Sequence, residues 1–140
     1  MNSICIIPAR GGSKRIPKKN IKNFLGKPVI SYVIKIAKQS KLFDQVIVST
    51  DHKDIAKISI KNGAKVYWRD KKFSKDTTAI ADVILDVIKN LNFKINSKNL
   101  ICCLYPTSVF CNKKLLIKAK QLLSTKTEYV FSAVKYSHPI

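Results

Sequence analysis

Negative charge is scarce in this chain. Eight Asp and Glu stand against 27 Lys and Arg, a formal net charge of +19 over 140 residues. No Asp-x-Asp occurs anywhere, so the closely spaced carboxylate pair that a hard divalent cation favours is missing. Arginine is scarce too: Arg10, Arg15 and Arg69 are the whole complement. Surfaces that read bases or clamp phosphates favour arginine for its planar fork, and single-strand binders interleave aromatic platforms. Neither pattern is present, which argues against a nucleic-acid partner. The lysines are spread along the helical stretches and read as solvated faces, with a minority of the charge acting locally. The four cysteines, Cys5, Cys102, Cys103 and Cys111, show neither Cys-x-x-Cys nor metal-ligand spacing and read as reduced thiols, three of them in or beside buried strands.

Long apolar runs are also missing. No stretch approaches the roughly 18 residues of a membrane span. Met1-Asn2-Ser3 carries no basic region, and the apolar segment after it stops at Pro8. That pattern is neither a secretory signal nor an anchor, so a cytoplasmic location without membrane association is the expectation. There are no internal repeats and no low-complexity linker, and residues 1–140 read as a single domain.

What the chain does have is an alternation of strand-length apolar runs and helical periodicity. Strands are expected at 3–8 (SICIIP), 45–50 (QVIVST), 64–68 (AKVYW), 99–104 (NLICCL) and 129–134 (YVFSAV). Helices are expected at 28–39, from Asp51 to about Asn62, near 79–91 and at 113–123. Pro28 suits a first helical turn. Asp51 reads as an N-cap with Asp54 in capping-box register, and Gly63 as the left-handed residue closing that helix. Ile80, Val83, Ile84, Val87 and Ile88 form one apolar stripe. This order predicts an α/β fold with a mainly parallel sheet flanked by helices, whose ligands sit outside the strand C-termini.

The loops at those C-termini are therefore the place to look. The first, 9–27, is far longer than an ordinary strand-to-helix connection. It opens Ala9-Arg10-Gly11-Gly12-Ser13-Lys14-Arg15, which is neither a Walker loop nor a Gly-x-Gly-x-x-Gly turn into a helix. Gly11 and Gly12 would let backbone N–H groups turn toward an anion. Arg10, Lys14, Arg15, Lys18 and Lys19 could neutralise a triphosphate. Ile16, Pro17, Ile21 and Phe24 offer apolar anchors for the loop. Trp68 reads as core or rim.

Residues 6–20, IIPARGGSKRIPKKN, resemble the signature of the acylneuraminate cytidylyltransferases, which make CMP-activated nonulosonic acids. LGKP (25–28), FDQVIVSTD (43–51), NGAKV (62–66), the loop carrying Arg69 and Asp76, and YPTS (105–108) are similar to segments of that family in the same order. The resemblance implies a Rossmann-like nucleotide-diphospho-sugar transferase fold, here in truncated form. It implies transfer of CMP from CTP to the anomeric hydroxyl of an acidic nine-carbon sugar, with release of pyrophosphate. By motif, Arg10 and Lys19 would stabilise charge on the triphosphate and Asn20 would help hold the nucleotide. Arg69 and Asp76 would lie against the cytidine. Ala9, Gly11, Gly12, Ser13, Lys14, Tyr105 and Thr107 complete the implied nucleotide site.

The chain departs from the sialic acid pattern at Tyr105-Pro106-Thr107-Ser108, where those members read Gln-Pro-Thr-Ser. Tyr105-Pro106-Thr107, with His138-Pro139-Ile140 further on, is similar to the pseudaminic acid branch. Sialate, legionaminate and keto-deoxy-octulosonate remain alternative sugars, and a CTP-binding part without chemistry is an alternative activity. The family implies Mg2+ and a homodimer. Its metal-binding carboxylates, sugar pocket and dimer arm belong to a part of the sequence beyond the stretch this chain resembles.

Overall fold

The computed structural model describes residues 3–91, 93, 96 and 99–135. His138, Pro139 and Ile140 lie outside the described residues. A four-stranded parallel sheet is built from β1 (Ser3–Pro8), β4 (Gln45–Thr50), β5 (Lys65–Trp68) and β6 (Leu100–Cys103), in the order β5-β4-β1-β6. A small antiparallel pair, β2 (Asn23–Phe24) and β3 (Lys27–Pro28), lies inside the long first loop. The helices are α1 (Val29–Ser40), α2 (Lys53–Lys61), α3 (Ile80–Asn90) and α4 (Lys113–Leu122).

Burial on both faces explains the unbroken apolar run of β1. Cys5 and Ile7 pack on one side with Ile30, Val33 and Ile34 of α1, Ile55 of α2 and Leu116 of α4. Ile4 and Ile6 pack on the other with Val87 and Ile88 of α3 and with Phe93. Ile4, Ile6, Ile7, Ile30 and Ile34 are fully buried, each a contribution of about 1.5–3 kcal/mol from removing its side chain from water. The expected α3 stripe is confirmed at Val83, Val87 and Ile88, while Ile84 is only half-buried. Gly63 sits at φ +79°, as a helix-closing residue should. All four thiols are unpaired by disulfides. Cys5 and Cys102 are direct register partners on β1 and β6, and a contact with Cys102, with burial second, pushes the Cys5 thiol well above its ordinary value.

Three expectations are corrected. The fifth strand at 129–134 is absent: Tyr129, Phe131 and Val134 are each more than four-fifths exposed and make no ladder. Strand-favouring residues form a strand only when a neighbouring backbone pairs with them, and β6 has β1 alone as a partner among the described residues. Asp51 does not cap α2, because the helix starts one residue later than its position requires. His52 is the cap, its Nδ1 accepting the Asp54 N–H at 3.2 Å. The capping box is therefore not formed; the Asp54 carboxylate faces Lys18 instead, at 3.8 Å. Pro28 precedes α1 as its cap and pairs with Asn23, and the helix begins at Val29.

The loop between β1 and α1 is ordered by its own short elements. Lys19–Ile21 form a 3-10 turn entered through Lys18 at φ 51°. Leu25 (φ 47°) and Gly26 (φ 82°) turn the β2–β3 hairpin, both at the positive φ that a type I′ turn needs. Phe24 meets Tyr32 of α1 edge-on at 5.8 Å, and the Tyr32 hydroxyl donates to the hairpin carbonyls at 2.9 Å. Of the expected anchors, Ile21 packs against the core whereas Ile16 is 43% exposed.

Candidate nucleotide site

Every parallel strand ends at the same edge of the sheet, so four loops meet there: the one after Pro8, the Asp51–His52 link, residues 69–79 and residues 104–112. Two adjoining clefts open between them. The inner one is lined by Pro8, Asn20, Arg69, Ile80, Tyr105 and Thr107, among others, and the outer one by Lys14, Arg15, Ile16 and Asp76. Arg10, Ser13 and Lys19 line both. The outer cleft, about 520 Å3, is walled by Arg10, Lys14, Arg15 and Lys19 against one carboxylate.

Arg69 is the most distinctive group. It is 7% exposed, just past the end of β5, and its backbone N–H continues the sheet by donating to Thr50 O at 2.9 Å. Its Nε donates to Ser49 Oγ at 3.1 Å and its Nη2 to Ser49 O at 2.8 Å. Burial pulls its pKa below the ordinary arginine value, with the field of Asp51 opposing that. No carboxylate lies within ion-pair distance of it among the described residues. A buried guanidinium held only by a hydroxyl and a carbonyl is a fixed cationic donor short of a counter-charge, and an acceptor-rich anion in the cleft would supply it.

Arg10 is poised by its own loop. Asn20, buried beneath it, donates from Nδ2 to Arg10 O at 2.9 Å, and Arg10 Nη1 donates to Gly12 O at 3.1 Å. The Arg10 Nη2 end forms an ion pair with Asp76, and Lys14 Nζ approaches the other Asp76 oxygen at 3.2 Å. The cationic partners, hydrogen bonds from Lys14 and Arg10 foremost, hold the Asp76 carboxyl below its ordinary pKa. Lys19 reaches both clefts and has no ion-pair partner among the described residues.

Most residues implied by the sequence thus converge here: Arg10, Ser13, Lys14, Lys19, Asn20, Arg69, Asp76, Tyr105 and Thr107. Two do not. Ala9 is fully buried in the core, and its N–H is taken by Ser49 O at 2.9 Å. Gly11 cannot turn its N–H toward an anion, because that group donates to Asp51 Oδ1 at 2.7 Å. Neither Gly11 nor Gly12 has positive φ, so the conformational freedom expected of them is unused. At Gly12 a side chain would meet nothing closer than Arg10 Nη1 at 3.8 Å. Asp76 sits with the outer cations rather than beside Arg69.

Sequence reasoning missed Ser49, Asp51 and His52 as supports, and Ile80 and Pro106 as walls. Two hydroxyls ending an otherwise apolar buried strand, Ser49-Thr50, were the available signal for the first. Ile80 was read only as the start of a core stripe, although its place directly after the 69–79 loop puts it at the strand ends.

Comparison with known proteins decides the family. A cytidylyltransferase family profile matches residues 4–139. The chain belongs to the cytidylyltransferase family. It is 42% identical over its whole length to a pseudaminic acid cytidylyltransferase of Campylobacter jejuni, of which it spans 61%. It is 42% identical over 93% of its length to N-acylneuraminate cytidylyltransferase A of Danio rerio, spanning 30% of that protein. The chain therefore covers less than two thirds of either relative. A solved CMP:2-keto-3-deoxy-manno-octonic acid synthetase complexed with CTP superposes with a TM-score of 0.71 at 22% identity, over 86% of this chain and 46% of that one. That likeness shows the α/β nucleotide-diphospho-sugar transferase fold in this cytidylyltransferase chain.

The Mg2+ implied by the family finds no seat among the described residues. No group of three His, Cys, Asp or Glu side chains converges there. Asp76 is occupied by two cations, and Asp51 by the Gly11 N–H. The donor set of the described residues does not fit a divalent ion. No helix among the described residues is long and apolar enough to cross a membrane.

Proposed function

We propose that this chain provides the nucleotide-binding part of a cytidylyltransferase that joins CMP from CTP to a nonulosonic acid, pseudaminic acid being the favoured sugar. The observation that carries the reading is the convergence of buried Arg69 with Arg10 and Lys19 at the C-terminal edge of a parallel sheet. The inner cleft takes the cytidine, with Arg69 and Asn20 as donors to an acceptor-rich ligand and Tyr105 and Ile80 as its flatter walls. The outer cleft takes the phosphates against Arg10, Lys14 and Lys19. The sugar's anomeric oxygen attacks the α-phosphorus, and the bond from that phosphorus to the bridging oxygen of the β-phosphate breaks. The electron pair leaves on pyrophosphate, and the hydroxyl proton is released to solvent. Charge grows on the bridging oxygen as the bond opens, and fixed cations stabilise that state more than the ground state.

Pseudaminic acid is supported by the Campylobacter relative, aligned across the entire chain, and by Tyr105-Pro106-Thr107 at the cleft wall. A tyrosine gives a sugar or base a flat face and one hydroxyl in place of an amide's paired donor and acceptor. The reading is tested by calorimetric titration of the chain with CTP, UTP and ATP, with pyrophosphate release measured on adding Mg2+ and pseudaminic acid. CTP binding with preference over the purine nucleotide supports the nucleotide site, and pyrophosphate release that requires the sugar supports the transfer. Equal, weak binding of all three would contradict both.

A further inference from the structure

The loop after β1 is fastened to the residue that precedes the cap of α2. Gly11 N–H donates to Asp51 Oδ1 across 40 residues of sequence, at 2.7 Å. Directly beside this bond, a Cβ placed on Gly11 would lie 2.5 Å from His52 Cδ2 and 2.8 Å from His52 Cβ, distances that real atoms do not tolerate. His52 cannot easily yield: its Nδ1 accepts the Asp54 N–H at 3.2 Å and its own N–H donates to Thr50 Oγ1 at 3.2 Å. Lys18, further along the same loop, faces Asp54 at 3.8 Å.

From this geometry we infer that Asp51 and His52 are positioning residues for the nucleotide site, clamping Gly11 so that the adjacent Arg10 is aimed into the cleft. The inference rests on the CTP reading above. Arg10 is one bond from the clamped residue, and its carbonyl is already held by Asn20. With the backbone fixed on both sides, the guanidinium is presented with little of the orientational freedom that binding would otherwise have to remove. Gly11 is glycine because the clamp brings the loop into contact with the His52 ring, and not because its φ is unusual. Asp51 therefore acts through a hydrogen bond to backbone, so an uncharged acceptor of the same length should replace it.

The test measures CTP affinity by calorimetry and thermal midpoint together, on the full chain. Asp51→Ala should weaken CTP about tenfold or more, since small misplacements of a clamping group are costly. Asp51→Asn, which keeps an acceptor for Gly11 N–H, should stay within about threefold of wild type. Gly11→Ala should lose affinity in the wild-type background and lose none in a His52→Gly background, where the colliding ring and Cβ are gone; this pair decides the matter should Asp51→Ala fail to fold. Wild-type affinity in Asp51→Ala, or an equal penalty for Gly11→Ala in both backgrounds, would overturn the clamp while leaving the CTP reading intact. Failure of the wild-type chain to bind CTP would overturn both.

Discussion

The Asp76 carboxylate bridges Arg10 and Lys14, two cations of the outer cleft, and it does so from the segment between β5 and α3. The cationic wall is thus partly neutralised by the protein itself. A phosphate entering the outer cleft competes with this carboxylate for the same guanidinium. Asp76→Asn should therefore bind CTP more tightly, by roughly two- to fivefold for an exposed pair of this kind, with the gain shrinking as salt rises. Titration at two ionic strengths checks it. Weaker binding in the variant would instead place Asp76 among the groups that hold the nucleotide.

Arg69 separates stability from binding. A buried cation with no carboxylate against it costs folding free energy, and an apolar side chain of similar length removes that cost. Arg69→Met should melt at the same temperature as wild type or a few degrees higher, while losing most of its CTP affinity. Scanning calorimetry and titration on one preparation read both quantities. A large fall in melting temperature would make Arg69 a structural residue first.

Tyr67 supplies the pH dependence. Its hydroxyl donates to Asp86 Oδ2 at 2.8 Å, and burial, with Asp86 second, raises its pKa to about 12 from the ordinary tyrosine value of 10. The folded state thus prefers the protonated phenol. The stabilisation is fully present below the unfolded value near 10 and is lost as pH rises through about 12. The phenolate absorbance difference between wild type and Tyr67→Phe should titrate well above 10. A difference that titrates near 10 would contradict the contact.

The hairpin inside the nucleotide loop carries removable strain. Leu25 is 82% exposed and holds φ 47°, a region that a bulky side chain resists. Leu25→Asn, which creates Asn-Gly at the turn, should stabilise the chain by about 1 kcal/mol in a urea titration. A loss of stability would show that Leu25 makes a contact worth more than its backbone cost.

Much of this was legible in the residues. The runs SICIIP and QVIVST became β1 and β4 with the expected bounds, because both are buried on two faces and their apolar patterns are unbroken. The cationic loop was legible from its length and composition. What stayed hidden depends on contacts between distant segments. Nothing local in Gly11 announces a bond to a carboxylate 40 residues away, and nothing in Ser49 shows that it will carry a buried arginine. Asp51 was misread because a carboxylate before a helix usually caps it, and here the next residue does so. YVFSAV was misread because propensity cannot supply a neighbouring strand.

A crystal of this chain soaked with CTP tests the central claim most directly. The phosphates should displace Asp76 and lie within hydrogen-bonding distance of Arg10 and Lys19, with the cytidine over Arg69 and Asn20. Density for the nucleotide elsewhere, with Arg10 still paired to Asp76, would contradict the account.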